Sequence, residues 1–235
     1  ATKKDSMILT IRALVKTLVE KDTLFMHGKK IIVSGPQEDR VIRAFNNVRF
    51  YKSDMSGKCD SLHSNNKTQL TKMIGKPILW NNENQMTGDV MHLIGNNKTQ
   101  KLDSLKVLNN AFIIQKDSLS KNGYNQIKGQ NLYGKFVDSK LKEVDVVKNA
   151  EVIYYMYNDA NEFIGINKTV CSKINLELEA NKISSITFFT KTDSFIYPEK
   201  DFPENARKLR GFLWRGDERI LSKDDIFPAE EIALD

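Results

Sequence analysis

The side chains best suited to chemistry are few in this chain and lie far apart. His27, His63 and His92 show no His-x-x-His or His-x-x-x-His spacing, so no single element gathers them as metal ligands. Cys59 and Cys171 are the only cysteines, with no close Cys or His beside either to make a metal pair. They could form a long-range disulfide in an oxidising compartment, or stand as two partly buried thiols. There is no nucleophile elbow of the Gly-x-Ser-x-Gly type, no phosphate-cradling glycine loop and no dinucleotide fingerprint. Carboxylates are scattered, and adjacent ones such as Asp224 and Asp225 fall in an acidic tail. The reading is a non-enzyme with no cofactor and no metal.

The elements that hold these residues are short and β-rich. Runs such as Asn47–Tyr51, Ile78–Trp80, Val90–Ile94, Ala111–Ile114, Leu132–Phe136, Val144–Val147, Val152–Tyr155, Leu176–Leu178 and Ile186–Phe189 alternate with Asn/Gly/Asp/Lys turns. Asn and Gly tolerate the positive φ that tight hairpins demand. Asn-Asn-Lys-Thr-Gln occurs at 65–69 and again at 96–100, and the step from Gly57 to Gly88 equals the step between these copies. Gln-Ile-Lys-Gly at 126–129 and Glu-Phe-Ile-Gly at 162–165 carry two further glycines, which the pattern places at bends or bulges. Such self-similarity marks one strand–turn unit stacked on copies of itself. The expectation is an all-β roll, sandwich or solenoid, with continuous surfaces that suit long, thin ligands.

Met7 to Val19 carries apolar residues at helical spacing, but its β-branched content favours strands. Pro198, Pro203 and Pro228 mark an irregular closing segment, with a short helix expected over Pro203–Arg210. One domain is expected overall, with opening strands at 1–40, a repeated core at 41–197 and the closing segment at 198–235.

Length, composition and charge fit this picture. The chain has 235 residues, 40% apolar and 28% charged, enough for a core. No apolar run is long enough for a membrane-spanning helix, and Ala1 to Ser6 lack the layout of a signal peptide, as a trimmed mature chain would. The net charge of +6 is interspersed rather than blocked, which reads as a solvated Lys-rich surface and gives no support to nucleic-acid binding. Asn66, Asn97 and Asn167 begin Asn-Lys-Thr sequons that read better as turns than as glycosylation sites.

Strand faces carry the functional hint. Val152, Tyr154 and Met156 oppose Ile153, Tyr155 and Tyr157, and Ile113 opposes Phe112 and Ile114, so these strands are apolar on both faces. A sheet buried on two sides needs a second cover: another sheet, a neighbouring protomer or a lipid.

Several phrases together resemble a known family. They are Ala44–Tyr51, Gly57–Leu62, Pro77–Trp80, Asn84–Asp89, Asn110–Ile114, Asn125–Gly129, Asn149–Tyr155, Gly165–Lys168 and Leu209–Trp214. Their order and number resemble the OstA/LptA-like lipopolysaccharide-transport family in its Bacteroidetes form, over about Asp22 to Asp225. Gly28-Lys29 stands where such proteins often carry Ala-Asp, and Ile220 follows Arg219 where Pro is usual; both departures touch the ends of the domain.

The resemblance implies an open, twisted β-jellyroll, free in the periplasm or associated with the outer membrane, whose apolar interior binds the acyl chains of lipid A. It implies partners among other lipopolysaccharide-transport components, by edge-strand addition, and a head-to-tail homo-oligomer. Lining residues would be Val48, Phe50, Ile78, Trp80, Phe112, Ile114, Val152, Tyr154, Ile186 and Phe188, each equally able to be plain core. Lys and Arg near the mouth would meet lipid phosphates. The rival reading is a structural or adhesive surface β-solenoid without a lipid ligand. A carbohydrate-binding or hydrolytic β domain, using Trp80, Trp214 and tyrosines as stacking platforms, is a more distant third.

Overall fold

A computed structural model describes residues 6–19, 22–81, 83–99, 101–138, 140–179 and 182–232. Ala1 to Asp5, Asn82 and Gln100, which belong to the leader, turn and repeat expectations above, lie outside the described residues. The chain is all-β. Its strands are β1 Ser6–Leu9, β2 Leu14–Val19, β3 Asp22–His27, β4 Lys30–Ser34, β5 Val41–Lys52, β6 Met55–Asn65, β7 Leu70–Ile74 and β8 Ile78–Asn81. They continue with β9 Asn84–Thr87, β10 Val90–Gly95, β11 Leu102–Lys116, β12 Tyr124–Val137, β13 Lys140–Tyr157, β14 Phe163–Glu179, β15 Lys182–Phe189 and β16 Asp193–Tyr197. Residues 7–19 thus form strands, β1 and β2, not a helix.

All pairings are antiparallel and belong to one 16-stranded sheet folded into two leaves. Leaf A runs β1, β4, the first half of β5, the second half of β6, β7, β10, then halves of β11 to β14, and β15. Leaf B runs β2, β3, the other halves of β5 and β6, β8, β9, the other halves of β11 to β14, and β16. Each long strand crosses from one leaf to the other at a kink, and the kinks line up as a spine along the roll.

Left-handed residue pairs make the spine. Asn46-Asn47 have φ of 61° and 55°, Asn109-Asn110 56° and 51°, and Lys148-Asn149 64° and 51°. The ladder registers shift at these points, between Phe45 and Val48, Leu108 and Ala111, and Val147 and Ala150. Asparagine adopts this conformation at low cost, so a pair of them can bend a strand without ending it. Gly129 belongs to the spine in β12 and Gly88 to the link from β9 to β10, where a Cβ would run into Val146 and Val107 respectively. Gly57 and Gly165 lie instead inside leaf B strands.

The repeated Asn-Asn-Lys-Thr segments occupy equivalent places, the turns that end leaf A hairpins. Asn65 Oδ1 accepts from Thr68 N at 2.9 Å, and Asn96 Oδ1 accepts from Thr99 N at 3.2 Å. The sequence repeat is therefore a repeat of one Asx-type turn.

The leaves pack on each other through alternate residues of every strand. Ile31, Ile42, Ala44, Leu62, Met73, Met91, Leu105 and Val107 from leaf A meet Met26, Val48, Phe50, Leu79, Met86, Ile113, Ile127 and Val152 from leaf B. Cys59 and Cys171 are both free and buried in this interior. Burial pushes the Cys59 thiol up to about 12, so it is a small apolar filler rather than a nucleophile.

Candidate functional site

The opposite face of leaf B is also apolar, and its cover is the chain's own C-terminal segment. Phe112, Ile114, Ile153, Tyr155 and Ile166 are buried there against Phe202 and Leu209, with Tyr124, Tyr157, Tyr197, Phe212 and Trp214 around them. From residue 198 the chain straps back across leaf B towards its first strands. A 3-10 turn at Glu204–Ala206 replaces the helix expected over Pro203–Arg210, and an irregular pass follows.

Two fully buried glutamines anchor the strap. Gln126 Nε2 donates to Arg207 O at 2.7 Å, and Leu209 N donates to Gln126 Oε1 at 2.8 Å. Gln85 Nε2 donates to Leu213 O at 2.7 Å, and Arg215 N donates to Gln85 Oε1 at 2.7 Å. Each side-chain amide thus imitates a neighbouring strand and satisfies backbone groups two residues apart. Further along, Glu218 accepts from Lys58 Nζ at 2.6 Å, and its other oxygen accepts from Arg215 Nε at 2.6 Å. The Arg215 bond first, and Lys58 with it, holds the Glu218 carboxyl down to about 2. At the end of the strap, Phe227 packs edge-on to buried His27, and Glu231 lies 3.3 Å from its Nε2.

With leaf B's outer face covered by the strap, the other apolar cluster is the interior between the leaves. Its middle is filled by its own side chains, and the cover fails at the two ends. At the first end, side chains of β1, β2 and β4 surround a cavity of about 700 Å³. Met7, Leu9, Val15, Val33 and Ile42 make its apolar wall and Arg40 brings a cation to it, while the Lys16 ammonium lies over the Phe25 ring on the other face of β2. At the other end Ile183, Ile186 and Phe188 are only partly buried against the interior. Strands β1 and β2 at one end, and β15 and β16 at the other, each pair on one side only among the described residues. Exposed apolar residues gather there: Met7, Ile8, Ile11 and Leu18 at the first end, Phe189, Phe195 and Ile196 at the last.

Of the ten residues expected to line the interior, Val48, Phe50 and Val152 are buried in it, and Tyr154, Ile186 and Phe188 pack against it. Phe112 and Ile114 lie on the opposite face beneath the strap. Trp80 stands across from Gln85 in the ladder, and Ile78 two positions away shares that outward side, while Leu79 between them points in. The strand around Phe112 is apolar on both faces, so alternation within it does not say which face is inner. Counting from Leu105 and Val107 through the two-residue kink reaches Ala111 and Ile113, the positions that do face in. The anchoring glutamines were missed, although Gln85-Met-Thr-Gly88 and Gln126-Ile-Lys-Gly129 share one pattern with Gln three residues before a spine glycine.

A larger hollow, about 940 Å³, lies outside the roll between spine and strap. Its lining is mixed, with Asn109, Asn110, Lys128, Glu151 and Arg210 beside Pro77, Ala111, Phe112 and Leu213. Among the described residues no three or more His, Cys, Asp or Glu gather as a metal site, and no helix is long and apolar enough to cross a membrane.

No protein-family model matches this chain, and no curated protein matches it. Among solved structures it is similar to LptH of Pseudomonas aeruginosa, the LptA-homologous periplasmic component of the conserved lipopolysaccharide transport device. That similarity covers 62% of this chain and 99% of the LptH chain, at 16% sequence identity and a TM-score of 0.46.

Proposed function

We propose that this protein is a non-enzymatic carrier that binds lipopolysaccharide through its lipid A acyl chains in the periplasm and passes it towards the outer membrane. The observation that carries the reading is an apolar interior that loses its cover where the strand edges are unpaired, with Arg40 beside the first opening. An acyl chain exposed to water costs about 0.8 kcal/mol per CH₂, so carrying one through an aqueous space needs such a lining. A guanidinium at the opening suits a phosphate of lipid A, and unpaired edges suit strand addition by transport partners or by a second copy, head to tail. The residue phrases that resemble the OstA/LptA-like family agree with this reading.

One observation favours the rival reading of a structural β-solenoid without a lipid: in mid-roll, Ile31, Val48, Met73, Leu79 and Met91 leave no room between the leaves. On the carrier reading, a lipid enters at the open first end and parts the leaves from there. Titration of an apolar fluorophore, with lipid A as competitor, separates the two. The carrier saturates with the probe and releases it to lipid A. A solenoid sealed by its own side chains takes up neither, and that result would reject the proposal.

A further inference from the structure

The outer face of leaf A carries a straight row of basic side chains that the carrier reading does not use. Following the ladder across β5, β6, β7, β10 and β11, the directly paired residues are Arg43, His63, Lys72, His92 and Lys106. At the usual strand spacing the row is about 19 Å long, with one basic group on every strand. Arg43 and Lys106 are exposed, and the three between them are half-buried. Among the described residues none of the five forms an ion pair. The next row towards the spine reads Phe45, Ser61, Ile74, Val90 and Leu108, and the next row away from it reads Val41, Asn65, Leu70, Ile94 and Ser104. Neither contains a carboxylate. Arg43, Lys72 and Lys106 thus stand on every second strand with no acid between them, and a proton on His63 or His92 sets like charges on adjacent strands, a cost that an anion meeting the row relieves.

We propose that this face docks on a membrane surface of anionic phospholipids, with the Arg43-to-Lys106 row on the headgroup phosphates. A headgroup layer offers continuous negative charge, which suits five basic groups with no acid among them. The half-buried aliphatic side chains on both flanks, Ile74 the most exposed at 45%, suit the less polar layer just beneath the phosphates. An acidic protein partner would ordinarily meet a surface of mixed sign, and a soluble polyanion would gain nothing from aliphatic margins.

The row also responds to pH. His63 faces Arg43 of β5 and Lys72 of β7, while His92 faces Lys72 of β7 and Lys106 of β11. Partial burial first, then these cations, hold both imidazoles below the ordinary histidine range. Both rings are therefore neutral at neutral pH and gain charge in acid, and an anionic surface favours the charged form. Docking strengthens as pH falls.

Co-flotation of the full chain with phosphatidylcholine vesicles, with and without phosphatidylglycerol, tests this at about pH 8 and about pH 5.5. The protein should float with the anionic vesicles only, more strongly in acid, and be released by salt at about 0.3 M. Lys72→Glu with Lys106→Glu should weaken flotation by about tenfold. His63→Asn with His92→Asn should keep the binding seen at the higher pH and lose the gain in acid. Equal flotation with neutral vesicles, or unchanged flotation of the charge-reversed protein, would overturn the proposal. So would binding to soluble polyphosphate without flotation, or self-association as the only event that this row controls.

Discussion

Gln85 and Gln126 show what one residue type does in this molecule. A buried amide in an apolar strand is a liability unless all its hydrogen-bonding groups are matched, and each of these two is matched by the strap. Replacing either with Leu leaves a backbone N–H and a carbonyl beneath the strap without partners. The expected loss is about 2 kcal/mol in denaturant unfolding, with faster proteolysis at Arg210 as the strap loosens. Glu218 adds a pH-dependent clamp. Its carboxyl is depressed in the folded protein, so its contribution is complete above the ordinary carboxylate range, near 4.5, and is lost as pH falls towards about 2. Glu218→Gln should remove that acid dependence of strap protection, read by hydrogen exchange between about pH 5 and about pH 2, while leaving protection elsewhere unchanged.

At the scale of elements, the left-handed pairs decide the architecture. Asn109→Val with Asn110→Val puts two β-branched residues where φ is positive and should cost about 2–4 kcal/mol, whereas glycine at both positions should cost far less. Thermal unfolding of the two variants makes the comparison. These pairs also explain which parts of the fold were legible in the sequence. Alternation within Val152–Tyr155 and the apolar runs of β11 revealed strands buried on both faces, because the period of two survives in the residue order. The kinks at the Asn pairs were not legible: Asn47 reads as the first residue of a strand, and asparagine's tolerance of positive φ is the same at a turn and at a mid-strand kink. Only the ladder shows that β5 and β11 continue through them. The strap was legible as irregular from its prolines, but its role as the cover of leaf B was not. That depends on contacts such as Lys58 with Glu218, far apart in the chain.

For the whole molecule, these local devices yield a roll closed along its spine, strapped on one outer face and uncovered at both ends. The interior is densest in the middle, where both leaves contribute fully buried side chains, and thins towards β1, β2, β15 and β16. Unpaired edges flanked by exposed Ile8, Ile11, Phe195 and Ile196 are an aggregation hazard in an isolated domain. They become useful where another roll continues the sheet and carries the apolar surface on. If the roll carries lipid as proposed, the ends, not the middle, are the places where ligand is first held.

The most direct measurement is site-specific photo-crosslinking to lipopolysaccharide, with the reactive side chain placed in turn at Val15, Phe188 and Ile114. Val15 lines the cavity at the first end, Phe188 packs on the interior near the last, and Ile114 lies outside beneath the strap. The account predicts adducts at Val15 and Phe188 and none at Ile114. Adducts at Ile114 alone, or at none of the three, would contradict it.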